Sequence, residues 1–189
     1  RLAASRGATV VGVDSSPSMI ANAQRHGTPE GPEIRYLVAD AQTLSPLDAG
    51  SFDAATCQLA LMDIPDLDAA LAAIARVLRP RGWLAFVIGH PCFLGPGARP
   101  VTIDEQPAVT VTGYFDERFW RSDNPNGVRR AGNHHRTLST YLNAVARAGF
   151  DIEECQEPPA GDLLAKQQPL YAQVPIFFAA RVRLRRSAR

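Results

Sequence analysis

The sequence predicts an α/β fold, a doubly wound and mostly parallel sheet, and three observations carry that prediction. Short apolar runs rich in β-branched residues alternate with segments whose apolar residues recur at helical spacing. The junctions hold residues that start or stop helices, namely Gly7, Ser16–Pro17, Asp66, Pro80 and Gly149. With 189 residues, 46% of them hydrophobic, the chain is long enough to bury one substantial core.

Residues 1–6 read as the last turns of a helix, with Gly7 free to take the left-handed conformation that ends it. A strand follows at 8–13. Ser16 is then a helix N-cap with Pro17 at the first helical position, and Met19, Ile20 and Ala23 share a face. Residues 27–33 are a Gly- and Pro-rich loop, and 34–39 a second strand leading to Asp40. Residues 52–59 form a third strand. Asp66 caps a helix with Leu67, Ala70, Leu71, Ile74, Val77 and Leu78 on one side. Pro80 stops it, Arg81–Gly82 turn the chain, and 83–88 is a fourth strand. The region up to Arg136 is rich in Pro, Gly, Asn and aromatics and is too long for a simple connection. A helix at 138–148, ended by Gly149, a strand at 150–155 and a final strand at 175–184 complete the pattern. One domain over 1–189, with insertions at 91–136 and 158–174, is the resulting organisation, and loops of that length on a rigid sheet serve as lids or binding loops.

The net charge of +1 gives no overall field for nucleic acid or an anionic membrane. The basic close RVRLRRSAR is short and lacks interleaved aromatics, so it reads as a solvated strand end. No apolar run reaches membrane-spanning length. Cys57, Cys92 and Cys155 are odd in number and far apart, which argues against a disulfide framework or a zinc site and for a reducing cytoplasmic setting. No metal site is expected, because His90, Cys92, His134 and His135 lack ligand spacing.

The most informative stretch is GATVVGVDSSP, residues 7–17. A carboxylate at the carboxyl end of a parallel strand can accept from both vicinal hydroxyls of a ribose, which makes Asp14 a candidate ligand and Ser15 its neighbour. Asp14 is equally at home as a capping carboxylate before the helix. The glycine loop that accompanies such an acid falls about 20 residues upstream. The sequence is therefore expected to open mid-helix, with that half of the site lying before its first residue.

Four stretches resemble the class I S-adenosylmethionine-dependent methyltransferases of the methyltransferase type 11 group. GATVVGVDSSPSMI is similar to the motif in which the acid holds the ribose, and YLVADAQTL to the motif contacting adenine. FDAATCQLALMDIPD is similar to the fourth-strand motif, and ALAAIARVLRPRGWLAFVI to the helix, turn and strand after it, with Arg81 where the family usually has Gly. HPCF, HRTLSTYLNAVARAGF and PIFFAAR also look like a bacterial subgroup of small-molecule methyltransferases. The resemblance implies a Rossmann-like sheet ordered 3-2-1-4-5-7-6 with an antiparallel last strand, and S-adenosyl-L-methionine as cofactor. It also implies that the first strand is missing from this stretch of sequence. Two edges would then lack ladder partners, and cofactor binding by these residues alone would be weak.

The resemblance further implies that Asp14 and Ser15 meet the ribose, that Asp40 and Ala41 meet adenine, and that Gln58 lies under the methionine end. Asp40 has an alternative as an Asx-turn residue, and Gln58 as strand-end packing. His90, at a strand end by the cleft, is the candidate general base, and at most one of His134 and His135 should enter the site. Phe93, Tyr114, Phe115, Phe119 and Trp120 could wall an apolar small-molecule acceptor, or could anchor the insertion to the domain or to a second copy in a homodimer. The expected reaction is O-, N- or C-methylation. The competing readings are a non-catalytic scaffold unable to bind cofactor alone and an NAD-dependent oxidoreductase. The second lacks a Tyr-xxx-Lys pair, since Lys166 is the only lysine.

Overall fold

The computed structural model describes residues 1–26, 31, 33–122 and 128–186. The expected loop at 27–33 falls largely outside the described residues, as do 123–127 of the first insertion and the last three residues of the basic tail. Helix α1 (Leu2–Ser5) ends before Gly7, whose φ of 89° is the left-handed value expected there. Strand β1 (Val10–Asp14) runs into α2 (Pro17–Arg25), where the Met19 N–H donates to Ser16 Oγ at 3.4 Å and Pro17 occupies the first turn. Strand β2 (Ile34–Val38) pairs in parallel with β1, so that Asp14 faces Val38.

Strand β3 (Phe52–Gln58) leads to α3 (Leu67–Val77), capped by Asp66, which accepts from the Ala69 N–H at 2.9 Å. The backbone is already extended at Leu78, before the expected stop at Pro80, and β4 (Leu78–Gly89) pairs in parallel with β3. The Arg81–Gly82 turn is absorbed into this strand as a register shift between Phe52 and Ala54, with Arg81 at φ 67°.

The first insertion, expected to be irregular, contains ordered strands. β5 (Ala98–Ile103) and β6 (Gln106–Val111) form a hairpin, and β7 (Arg118–Trp120) pairs with β8 (Asn133–His135). Helix α4 (Leu138–Arg147), ended by Gly149 at φ 90°, precedes β9 (Phe150–Gln156). The second insertion folds as α5 (Asp162–Gln167) and a 3-10 turn, Pro169–Ala172. Strand β10 (Phe177–Leu184) closes the chain, inserted antiparallel between β4 and β9.

Among the described residues the main strands make two groups, β2–β1 and β3–β4–β10–β9. These are the orders expected on either side of the family's first strand, and the single antiparallel strand is the expected one. Leu61, Leu71, Leu84, Phe86, Ile88, Val145, Phe150 and Val182 are fully buried at the centre of the core. Val11, Val13 and Leu37 pack against the same cluster, so the two groups share one hydrophobic interior. No described helix is long and apolar enough to cross a membrane.

Candidate active site

Parallel strands bring their carboxyl ends, and the loops that follow, to one edge. At that edge the Ala39 N–H donates to the Asp14 carbonyl at 3.1 Å, which sets the loops after β1 and β2 side by side. The Asp14 Oδ1 accepts from the Ser16 N–H at 2.8 Å. Among the described residues nothing donates to Oδ2, so one oxygen holds the turn while the other can take a ligand hydroxyl. Asp40 makes the Asx turn, accepting from the Gln42 N–H at 2.8 Å, and the Gln42 side-chain amide spans both its oxygens. The Ala41 N–H has no acceptor among the described residues. Ser15 and Asp40 are exposed, and Asp14 and Ala41 half-buried. Met19 is 55% exposed, so it serves no core role on α2.

A chain of contacts extends this edge to the other strands. Gln42 Oε1 accepts from the Asp66 N–H at 3.0 Å, joining the loop after β2 to the loop after β3. Gln58 ends β3 exposed, and Leu59 follows at φ 52°, a left-handed backbone on a residue with a Cβ. The carbonyls of Leu61, Met62, Ile64 and Pro65 are then claimed by the segment around β8. The His134 N–H donates to the Met62 carbonyl at 2.7 Å. The buried Arg136 guanidinium donates to the carbonyls of Leu61 (3.3 Å), Ile64 (2.8 Å) and Pro65 (2.6 Å).

This crossing makes one wall of a narrow cleft; the opposite wall is the end of β4 with His90, Pro91, Leu94 and Gly95, and Trp120 reaches in from β7. His90, 5% exposed, is held at both ring nitrogens. Nδ1 accepts from the Cys92 N–H at 3.2 Å, so Nε2 bears the proton and donates to Glu157 at 2.8 Å. His134 and His135 both contribute to the cleft wall, while their rings diverge as neighbours on a strand must. His135 Nε2 bonds the Tyr114 carbonyl at 2.8 Å, and the His134 ring packs on Phe119 with centroids 5.1 Å apart. Burial, followed by the charge of Arg136, lowers the His134 pKa.

The aromatic residues do not form one wall. Phe93 packs on His90, Tyr114 on Phe115 and His135, and of the five aromatics expected to form that wall only Trp120 lines the cleft; Phe115 is 86% exposed. Cys57 is mostly buried, which raises its thiol pKa and leaves it a small packing residue. Among the described residues no cluster could hold a metal ion. Sequence reasoning missed Arg136, Asn133, Tyr141 and Glu157, because their partners lie tens of residues away and no local pattern marks them.

Residues 1–86 match the family model described as a methyltransferase domain. A demethylmenaquinone methyltransferase of Thermus thermophilus is 44% identical over 78 residues, 41% of this chain and 35% of that protein. A ubiquinone biosynthesis O-methyltransferase of Paracidovorax citrulli is 36% identical over 84 residues, 44% of this chain and 35% of that protein. The chain thus spans about a third of the length of these curated relatives. Among solved structures, an S-adenosylmethionine dependent methyltransferase from Mesorhizobium loti superposes with a TM-score of 0.76 at 31% identity, over 93% of this chain and 80% of that one. A second, described as a putative methyltransferase of the same dependence from Listeria monocytogenes, shares the fold at 21% identity and a TM-score of 0.74, over 94% and 80% of the two chains. With the carboxylates of two adjacent strand ends at the expected edge, and that likeness running through nearly the whole chain, the protein belongs to the S-adenosylmethionine-dependent methyltransferases.

Proposed function

We propose that the protein transfers a methyl group from S-adenosyl-L-methionine to a small-molecule acceptor, by O-, N- or C-methylation. The observation that supports this most is the contact chain from Asp14 and Asp40, through Gln42 and the loop after β3, to the cleft at His90. It links the candidate nucleoside edge at one end to a narrow, partly open polar cleft at the other. The residues fit the cofactor. The open Asp14 oxygen suits vicinal ribose hydroxyls, the Ala41 N–H and Asp40 suit the adenine edge with Ser15 beside the ribose, and Gln58, exposed at the end of β3, is assigned to the methionine end. When bound, the cofactor supplies an electrophilic methyl on a sulfonium, so the protein's part is alignment and electrostatics.

A hydroxyl acceptor needs a base, and His90 is the candidate. Glu157 on Nε2 fixes the tautomer that puts the lone pair on Nδ1 and would stabilise the imidazolium. An acceptor hydroxyl would replace the long Cys92 bond. The curated relatives match only the nucleotide half of the chain, so their acceptors are not transferred to this one. The cysteine pattern supports a cytoplasmic setting, and nothing in the charge favours nucleic acid; a homodimer through the exposed insertion aromatics is compatible with this reading.

Calorimetry with S-adenosylhomocysteine tests the proposal. Asp14→Asn should weaken binding by about 10- to 100-fold, the worth of one or two charge-assisted hydrogen bonds. Equal affinity in the variant would overturn the assignment of Asp14.

A further inference from the structure

We propose that Gln42 is a positioning residue for the nucleoside: it aligns the Asp40 carboxylate for the purine and ties purine binding to the loop that walls the cleft. This deepens, and rests on, the assignment of Asp40 to the adenine edge. The Gln42 side-chain nitrogen donates to Asp40 Oδ1 at 3.2 Å and Oδ2 at 3.0 Å, while its Oε1 accepts from the Asp66 N–H at 3.0 Å. The two neighbours dictate that orientation, because an ionised carboxylate only accepts and a backbone N–H only donates. A glutamate here would accept at both ends and a lysine would donate at both. An amide satisfies both partners.

A carboxylate has about four acceptor positions. On Asp40 the Gln42 backbone N–H, at 2.8 Å, and side chain take both positions of Oδ1, and the side chain takes one on Oδ2. Among the described residues nothing takes the last one. The Ala41 N–H follows, with no acceptor among the described residues. One acceptor and one donor match adenine, whose amino group donates next to a ring nitrogen that accepts. A 6-oxo purine reverses both.

The turn itself is held by other groups. Buried Leu44 anchors it in the core, and the Leu44 N–H donates to the Asp40 carbonyl at 2.8 Å. Arg76 on α3 donates to the carbonyls of Thr43, Leu44 and Leu47 at 3.2, 2.8 and 2.9 Å. The far partner is fixed as well, since Asp66 caps α3 through the Ala69 N–H and Arg136 holds the Pro65 carbonyl before it. With both ends pinned, the amide serves to align Asp40 and to couple it to the loop after β3. That loop carries the carbonyls bound by Arg136 at the cleft wall, so a purine on Asp40 and the cleft share one contiguous network.

The test titrates S-adenosylhomocysteine and S-inosylhomocysteine, its 6-oxo analogue, into the protein by NMR. Wild type should prefer the first by about tenfold or more. Gln42→Ala should weaken S-adenosylhomocysteine by about three- to tenfold and leave the analogue within about twofold of wild type. Gln42→Glu, which carries the test if the Ala variant does not fold, keeps the length and the acceptor for Asp66. It sets a second carboxylate against Asp40 and should lose at least as much affinity. In an Asp40→Ala background, Gln42→Ala should cost less than about twofold, because Gln42 acts through Asp40. The Asp66 amide signal should shift on addition of S-adenosylhomocysteine in wild type and not in Gln42→Ala. A wild-type preference kept by both Gln42 variants, or a full Gln42→Ala loss in the Asp40→Ala background, would overturn the positioning role. An Asp66 signal that responds alike in wild type and Gln42→Ala would overturn the coupling. Equal binding of the two nucleosides by wild type would overturn the Asp40 assignment and this proposal with it. Failure of S-adenosylhomocysteine to bind wild type would count against the methyltransferase reading as well.

Discussion

Arg81 sits at φ 67° one residue before Gly82, and the two positions make opposite demands on the backbone. At 81 the left-handed conformation costs any residue with a Cβ, which is why the family's usual Gly suits it. At 82 the constraint is space, since an added Cβ would lie 2.9 Å from the Arg79 carbonyl oxygen and 3.1 Å from that of Asp53. Arg81→Gly should therefore be neutral or stabilise by up to about 1 kcal/mol, while Gly82→Ala should destabilise by about 1–3 kcal/mol. Urea unfolding of both variants checks the contrast; the reverse order would mean that φ at 81 is not what the turn requires. Glu117 makes a second demand. Burial pulls its pKa up, but hydrogen bonds from Thr140 and Thr137, with His135 nearby, outweigh that and leave it lowered. A carboxylate with a depressed folded pKa stabilises above its unfolded value of about 4.3, and that contribution is lost as the pH falls through the folded value. Glu117 is largely exposed, so solvent screening cuts the effect, and Glu117→Gln should cost about 1 kcal/mol at neutral pH. The gap from wild type should close as the medium is acidified below about pH 4.

The hairpin of β5 and β6 turns through Asp104 and Glu105, both with positive φ, at 48° and 63°. Two consecutive left-handed residues define the turn whose twist suits a two-residue hairpin, and Asn-Gly is its favoured sequence. Asp104→Asn with Glu105→Gly should stabilise the hairpin by about 1 kcal/mol, read as slower amide exchange across β5 and β6. The same turn explains what was legible in the sequence. The caps at Ser16, Asp66 and Gly149 and the alternation of strands and helices are local codes, and the structure follows them. An Asp-Glu turn carries no such code, so the insertion read as irregular although it is built of ladders. Within the candidate site, the strand-end acids were legible because parallel sheets put ligands at strand ends. The Arg136 bonds to residues 61–65 were not, since they span 71 to 75 positions and depend wholly on packing.

At the scale of the molecule, the β1–β2 pair is held less firmly than the four strands beside it. Every residue of β1 is only half-buried, whereas β4 and β10 alternate fully buried residues against α3 and α4. A two-stranded ladder is marginal without packing on its faces, and here β1 has a ladder partner on one edge only among the described residues. Opening free energies should follow this difference, with amides of β1 and β2 exchanging about 100-fold faster than those of β4 and β10. Asp14, the last residue of β1, and Asp40 and Ala41, in the loop after β2, are the proposed nucleoside contacts, and all belong to the weaker pair. A ligand that binds only the closed form raises the opening free energy of whatever it touches, by about 2.7 kcal/mol at 100 times its dissociation constant. S-adenosylhomocysteine should therefore slow exchange in β1 and β2 by about 100-fold at that excess and leave β9 and β10 unchanged. Uniform protection across both strand groups would show that they open as one unit. Protection confined to β9 and β10 would place the nucleoside at the wrong edge of the sheet.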